Sequence, residues 1–240
     1  MSKLAENSVV RFMAHLGSMV LSPIREMGRM AIFLFRALAV LVVPPWKIGR
    51  IIKRVQFIGY QSLAVILLTG IFTGMVLGYQ GYNTLHRVGS TAFVGPMVAF
   101  SLLRELGPVL SALMVTARAG SAICAEIGIM RLNEEIDALK LMGLNPYRYH
   151  IVPVLVGTVL CMPLLTAVFD AIGIGGGYLV SVKLLGVSGG TYFGEMADYL
   201  ELKDVMGSLY KSLAFGGLIA WVCTYKGYYT GYGAEGVSKA

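Results

Sequence analysis

Charged side chains interrupt otherwise apolar stretches of this 240-residue chain. Arg104 and Glu105 are adjacent in the segment SLLRELGP, which Pro108 should bend, and Asp170 precedes a run of glycines. Charges inside a membrane are costly and usually face a cavity or a partner. The pattern therefore predicts one of two arrangements. We favour a path for a polar or amphipathic substrate, and the alternative is an ion pair that only locks two helices together.

A second candidate is the acidic segment RLNEEIDALKLMGLNP, from Arg131 to Pro146, which lies between two long apolar stretches. Asn133 is a suitable N-terminal cap for a helix over 133–143, and Gly143 favours its end. Three carboxylates stand in the first turn, where the helix dipole favours negative charge: Glu134, Glu135 and Asp137. Three apolar residues recur at three-residue steps: Ile136, Leu139 and Met142. The segment predicts a surface helix that offers an apolar ridge, flanked by carboxylates, to a docking partner.

Residues suited to catalysis do not come together in a recognisable pattern. The sequence contains no HExxH, GxSxG or P-loop pattern, so this chain is predicted to be neither an enzyme nor an ATPase. The run GIGGGY, from Gly173 to Tyr178, lacks the Lys-Ser/Thr ending of a phosphate-binding loop and predicts a kink or tight packing. The histidines and cysteines are scattered and predict no metal or redox site. They are His15, His86, His150, Cys124, Cys161 and Cys223.

The elements that must position these residues are membrane helices. Hydrophobic residues make up 56% of the chain and charged residues 14%, and the mean hydropathy is +0.71, which exceeds what an ordinary soluble domain carries. A span needs about 20 apolar residues. Four segments qualify: 58–79, 92–125, 151–182 and 205–225. We predict a single all-α integral membrane domain over residues 1–240, in which the second and third spans are either long tilted helices or broken ones.

The segment 28–46 is apolar but short and contains arginines. At about 100° per residue, Arg25, Arg29 and Arg36 fall within roughly 40° of one another, beside an apolar face. We interpret it as a helix lying in the membrane interface, the alternative being a short first span that buries Arg36. Nine of the 20 lysines and arginines precede residue 55, which predicts a cytoplasmic N-terminus and a cytoplasmic acidic helix. The net charge of +7 indicates attraction to anionic lipid, and no nucleic-acid partner is expected.

Three glycines at four-residue spacing make one smooth face of the first span: Gly70, Gly74 and Gly78. Such spacing is typical of close helix packing. It predicts either a contact at a moving or dimeric interface or static packing inside one subunit. The sequence does not decide between these two.

Four longer stretches form an ordered set of motifs: GIFTGMVLGYQGY (70–82), SLLRELGPVLSALMVTARAGSAICAEIGIMR (101–131), EEIDALKLMGLNP (134–146) and GVSKA (236–240). They resemble the MlaE-type permeases of bacterial and chloroplast lipid ABC transporters. The resemblance implies a multi-pass inner-membrane permease that moves phospholipid between the inner membrane and a periplasmic carrier, maintaining outer-membrane lipid asymmetry. It also implies a homodimer with about five spans per subunit. Because the family's last span follows the GVSKA-like motif, we expect that span to be absent from these 240 residues.

The resemblance further implies partners. They are a cytoplasmic ABC ATPase, which binds ATP and Mg²⁺, an MCE-domain protein facing the periplasm, and in some systems a STAS-domain protein. The segment 134–146 is similar to the family's coupling helix, which assigns ATPase coupling to Glu134, Glu135, Asp137, Leu139, Met142 and Gly143. Five residues match positions at the family's lipid cavity: Leu77, Gln80, Arg104, Glu105 and Leu106.

Two other functions are compatible with the residues. An ion-gradient-driven secondary transporter would use Arg104, Glu105 and Asp170 as a relay and would need no ATPase. A membrane scaffold would hold an extracytoplasmic partner without transporting anything. Purification without an ATPase, together with gradient-driven flux, would favour the transporter, whereas partner binding without bound lipid would favour the scaffold.

Overall fold

The computed structural model describes the backbone of most of the chain in three stretches: residues 2–42, 48–231 and 236. Side chains are described at residues 19, 21–41, 48–231 and 236. The chain divides into two compact units, Met1–Pro45 and Trp46–Ala240.

The first unit contains one long helix, α1 (Ser2–Val42), with Pro23 inside it. This helix begins well before the predicted interfacial segment 28–46. Residues 43–46 of that segment lie outside the described residues. The location of the helix in the membrane interface stays a prediction.

The second unit is built from helices, and no strand occurs within residues 48–231. In chain order, its α-helices are α2 (Ile48–His86), α3 (Val94–Ser101), α4 (Gly107–Val115), α5 (Ser121–Leu132), α6 (Glu135–Leu141), α7 (Val152–Tyr178), α8 (Gly189–Tyr199) and α9 (Leu202–Tyr228). A 3-10 turn (Thr91–Phe93) precedes α3. Four π-helical segments join or extend these helices: Leu102–Leu106, Thr116–Gly120, Tyr147–Ile151 and Leu179–Leu184.

Within the described residues, four continuous helical runs are long and apolar enough to cross a membrane: Ile48–His86, Thr91–Leu132, Tyr147–Leu184 and Leu202–Tyr228. Each of them contains one of the four segments predicted to span. A helix satisfies all its backbone hydrogen bonds internally, which is the condition for crossing lipid. The prediction of an all-α membrane protein is therefore confirmed.

The charged second run is continuous, but it is not a regular α-helix. The π segment Leu102–Leu106 carries Arg104 and Glu105 and lies directly before Gly107-Pro108. Proline disturbs the regular hydrogen-bond ladder on its N-terminal side, and π-helical bulges are a common way to absorb such a disturbance. In the third run, Asp170 lies inside uninterrupted α7 and does not cap a broken helix.

Helices α2 and α7 approach each other at backbone distance. A methyl group added at Gly74 would overlap the carbonyl oxygen of Gly173, and one added at Gly78 would lie 2.9 Å from the oxygen of Gly177. Small residues at both surfaces are what permits this approach. The glycine face of α2 therefore packs inside one subunit, against the glycine cluster of α7.

An apolar core holds the four runs together. It is formed by buried side chains of every run, including Ile58, Ile66, Leu102, Ile123, Met162, Phe169 and Ile219. Tyr192 of α8 is also fully buried, and its hydroxyl donates a hydrogen bond to the carbonyl oxygen of Ile174, 3.2 Å away. Burial raises the pKa of Tyr192 to about 12. This side chain fixes α8 to the end of α7.

The short helix α6 differs at its start from the sequence prediction. Its N-terminal flanking residue is Glu134, in the left-handed conformation at φ 58°, and no side chain caps the helix; the prediction of Asn133 as the cap is wrong. The Asn133 amide instead donates to the Glu135 carboxylate at 3.3 Å. The helix ends at Leu141, and Gly143, whose φ is 73°, terminates it as expected. The N–H groups of Gly143 and Leu144 donate to the carbonyl oxygens of Lys140 and Leu139.

Candidate functional site

The charged pair of the second run bonds to α9 rather than to itself. Arg104 Nε donates to Asp204 Oδ1 at 2.8 Å, and Lys211 Nζ donates to Glu105 Oε1 at 2.9 Å. The Arg104 guanidinium also lies over the Phe100 ring, 4.4 Å from its centroid. These contacts lock the π segment to α9. This is the arrangement of the second sequence interpretation, in which charged side chains lock two helices together.

The two charged side chains nevertheless retain free surface. The Arg104 side chain is 57% exposed and that of Glu105 is 74% exposed. Asp204, by contrast, is only 11% exposed beneath the guanidinium. The arrangement can lock the helices and still offer polar groups to a ligand, so the two interpretations do not exclude each other.

Asp170 belongs to the same polar region. Its Oδ2 accepts a hydrogen bond from the Ser208 hydroxyl of α9 at 3.0 Å, while its Oδ1 has no hydrogen-bond partner among the described residues. The side chain is only 4% exposed. Asp170 thus pairs with a neighbouring span, which is one of the arrangements that an isolated carboxylate in an apolar helix allows.

The other predicted cavity residues are less concentrated. Leu77 and Leu106 are half-buried and both pack against the apolar core, whereas Gln80 is exposed on α2. Within one chain, Leu77 and Leu106 are therefore linked through their contacts with the apolar core. The polar contacts described above gather Arg104 and Glu105, but not Gln80.

The acidic helix α6 presents a different apolar surface from the predicted ridge. Ile136 and Leu139 are 3% and 8% exposed, in contact with the second unit's core rather than available to a partner, so the predicted ridge is wrong at these two positions. They line a small space with residues of α5, α9 and the π segment that precedes α7, among them Ile127, Met130, Ile151 and Tyr228. The inner face of α6 is buried because the turns on either side of α6 fold it back onto the ends of the neighbouring helices.

The exposed apolar residues cluster at the end of α6. Leu141 is 90% exposed, Met142 is 65% exposed and Leu144 is 41% exposed. Of these, only Met142 was expected to contact a partner. Exposed aliphatic side chains outside a membrane span are the signal that identifies such a surface. We call Glu134, Glu135, Leu141, Met142 and Leu144 the outer surface of α6.

An ion network holds α6 to α5. Asp137 accepts hydrogen bonds from Lys140 at 2.7 Å and from Arg131 at 3.1 Å. The bond from Lys140 keeps the pKa of Asp137 below its ordinary value, with Arg131 contributing in the same direction. Glu134 and Glu135 are exposed, so their charges are available to a cationic partner surface.

A basic cavity of about 610 Å³ lies where α2, α5 and α7 meet. Its lining includes Arg50, Lys53, Arg54, Glu126 and His150. Arg54 forms a bidentate pair with Glu126, at 2.5 and 2.7 Å, and Arg50 donates to the carbonyl oxygen of Tyr149 at 2.9 Å. The sequence does not predict this cavity, because the spacing of basic residues along α2 does not reveal which helices lie beside them.

Comparisons with known proteins cover most of the chain. A family model described as Permease MlaE matches residues 51–240. The chain is 39% identical over 233 residues to the intermembrane phospholipid transport system permease protein MlaE of Haemophilus influenzae, covering 97% of this chain and 89% of that protein. It is 40% identical over 216 residues to a probable ABC transporter permease protein of Rickettsia bellii, covering 90% and 83%. It is 30% identical over 218 residues to protein TRIGALACTOSYLDIACYLGLYCEROL 1, chloroplastic, of Arabidopsis thaliana, covering 87% and 62%.

Proposed function

The chain belongs to the MlaE permease family, and from that premise we propose that it is the membrane subunit of an ABC transporter for phospholipids. The proposal rests on one observation: over 97% of its length, the chain is 39% identical to a permease named for intermembrane phospholipid transport. The Arg104 and Glu105 side chains agree with it, because they place polar groups for a head group inside an apolar span. We propose a homodimer in a bacterial inner membrane, with the N-terminus in the cytoplasm.

In this proposal a second protein supplies the energy. ATP and Mg²⁺ would be bound by a cytoplasmic ATPase that contacts the outer surface of α6. An MCE-domain protein would receive or deliver the lipid on the periplasmic side, where the transport helps to keep the outer membrane asymmetric. A STAS-domain protein would be a further partner, bound to the ATPase.

Force applied to α6 would reach the membrane spans through its buried face. Ile136 and Leu139 pack at the junction of α5, α9 and the π segment that begins the third span, so a displacement of α6 moves side chains that belong to three spans. Close packing transmits such displacements because the interior offers little free volume to absorb them. ATP-driven closure of the two ATPase subunits would then reshape a lipid cavity between the two permease subunits.

The first test is affinity purification of the detergent-solubilised protein, with mass spectrometry of the bound proteins and lipids. The wild type should carry an ATPase and phospholipid, and Glu134→Lys/Glu135→Lys should lose the ATPase. The matched control is Glu195→Lys/Asp198→Lys on α8, which changes the net charge equally and should keep the ATPase. Absence of an ATPase from every form, together with ion-gradient-driven flux, would overturn the proposal in favour of a secondary transporter. An extracytoplasmic partner without lipid would indicate a scaffold.

A further inference from the structure

The first turns of α2 carry more positive charge than the neighbouring residues neutralise. Arg50, Lys53 and Arg54 stand three and four residues apart, so their side chains share one face of the helix, where like charges repel each other. Of the described residues that line the basic cavity, only Glu126 is a carboxylate, and it bonds to Arg54. Counting His150 as neutral, the lining has three positive charges and one negative charge. An anion bound in the cavity would relieve this repulsion.

Lys53 and Arg50 keep donor groups that the protein does not use. Lys53 is exposed and makes no hydrogen bond or ion pair within residues 48–231. Arg50 donates from one terminal nitrogen to the carbonyl oxygen of Tyr149, and its guanidinium lies over the Tyr149 ring, 3.2 Å from the centroid. The other nitrogens of Arg50 have no hydrogen-bond partner in that range. A guanidinium held against an aromatic ring keeps a planar fork of donors, which is how arginine recognises phosphate.

The basic cavity has the dimensions of a small-molecule site. Its volume of about 610 Å³ lies within the range of ligand pockets. Phe57, Ala122 and Pro153 form an apolar wall beside the cations. A phosphate monoester carries about two negative charges at neutral pH, whereas a diester carries about one. The excess of positive charge therefore matches a monoester, and the wall accommodates an apolar part of the same ligand.

His150 connects the basic cavity to α6. It lines this cavity and also the small space in which Ile136 and Leu139 are buried. Its ring nitrogens lie 3.4 Å from a terminal nitrogen of Arg54. His150 belongs to the π segment Tyr147–Ile151, which follows α6 along the chain. A ligand that fixes the cations of α2 therefore also fixes the segment against which α6 packs.

We propose that the basic cavity is a regulatory site for a phosphate monoester, and that its occupation holds α6 against the helices beneath it. Arg50 and Lys53 bind the phosphate oxygens, while Arg54 stays paired with Glu126. The phosphate belongs either to a soluble molecule or to a lipid head group, because both present the same terminal group. The binding site does not depend on the proposed function. Its consequence for the ATPase does, because the ATPase contacts the outer surface of α6 in that proposal.

The test uses the full-length protein in phosphatidylcholine nanodiscs, with glycerol 3-phosphate in solution or phosphatidate in the bilayer as the probe. Phosphatidylglycerol, a diester, is the control lipid. A bound monoester should raise the thermal midpoint of unfolding and slow amide hydrogen exchange in residues 135–141. Lys53→Gln removes one charge-assisted contact and should raise the probe concentration needed for half of the effect roughly tenfold. Glu126→Gln should lower that concentration, because it releases Arg54 for the phosphate.

The matched control is Lys203→Gln, which removes an exposed lysine at the start of α9 and should respond as the wild type does. An effect of only one probe would support the proposal and identify the source of the phosphate. No effect of either probe would overturn it, as would an equal effect of phosphatidylglycerol or a higher midpoint without slower exchange in α6. If Glu126→Gln does not yield folded protein, the comparison of Lys53→Gln with Lys203→Gln decides alone. No ATPase enters these measurements, so their failure is distinguishable from failure of the transport proposal.

Discussion

Arg54 and Glu126 form a bidentate ion pair that joins the beginning of α2 to α5, with nitrogen–oxygen distances of 2.5 and 2.7 Å. The Arg54 side chain is 19% exposed and that of Glu126 is 41% exposed. The pair is thus partly screened by solvent, yet the arginine is largely enclosed. Loss of this ion pair should therefore weaken the contact between α2 and α5 more than loss of an exposed surface pair would.

Glu126→Gln should lower the thermal midpoint of unfolding, because the largely enclosed guanidinium of Arg54 loses its charged partner. We expect a cost of about 1 kcal/mol, since solvent reaches the carboxylate side of the pair. The measurement is a thermal unfolding curve in detergent beside Asp198→Asn, an exposed carboxylate of α8. Equal midpoints for both variants would show that the ion pair contributes nothing to stability.

Gly74→Ala tests the backbone contact between α2 and α7. The added methyl group would overlap the carbonyl oxygen of Gly173, so the helices must separate, at a cost of about 1–3 kcal/mol. Gly49→Ala, on the same helix, meets nothing within 4 Å and should not destabilise the protein. Thermal midpoints and size-exclusion profiles of the two variants give the comparison; a Gly74 variant as stable as the Gly49 variant would contradict the contact.

Leu139 and Leu141 are two residues apart on α6 but face opposite environments, with exposed fractions of 8% and 90%. Leu139→Ala should destabilise the protein by about 2–4 kcal/mol, because it leaves a cavity at the junction of three spans. Leu141→Ala should leave the thermal midpoint unchanged and weaken recovery of the ATPase. Both quantities can be measured on one purified sample. The reverse pattern would mean that the inner face of α6, and not its outer surface, contacts the partner.

Tyr192 predicts a loss of stability at alkaline pH. Its pKa is about 12 in the folded protein and about 10 in the unfolded chain, so the unfolded state releases its proton first. The contribution of Tyr192 to the free energy of unfolding is about 3 kcal/mol; it is fully present below about pH 10 and is lost as the pH rises towards about 12. Tyr192→Phe lacks this titration and should show a shallower alkaline decline, measured as unfolding midpoints between pH 8 and pH 12. Parallel declines in the two proteins would exclude Tyr192 as the cause.

Asp170→Asn should not destabilise the protein. The amide keeps an oxygen that accepts the Ser208 hydrogen bond, and it removes a carboxyl group whose Oδ1 finds no partner within the described residues. A charge in such an environment costs several kcal/mol or remains unformed. A thermal midpoint at or above that of the wild type is expected, beside Ser208→Ala, which should be lower. A strong loss in Asp170→Asn would show that the acidic group itself is required.

The sequence by itself determined the membrane class, the four spans and the position of the acidic helix. Those features follow from local properties: runs of apolar residues, the spacing of charges, and a glycine that ends α6. The same local signals pointed to Arg104 and Glu105, because a charge inside an apolar run is conspicuous without any knowledge of its neighbours. The family resemblance added a function to these structural predictions, because a resemblance depends on ordered sequence motifs and not on tertiary contacts.

Only the tertiary structure decided which side chains meet. Periodicity predicted an apolar ridge on α6, but the packing of α6 against α5, α9 and the π segment before α7 buries Ile136 and Leu139 and leaves Leu141 exposed. The partners of the charged pair, Asp204 and Lys211, are about a hundred residues away along the chain. No local pattern specifies such a meeting, because it depends on how four helices pack around a common core, with α2 and α7 held together at their glycines.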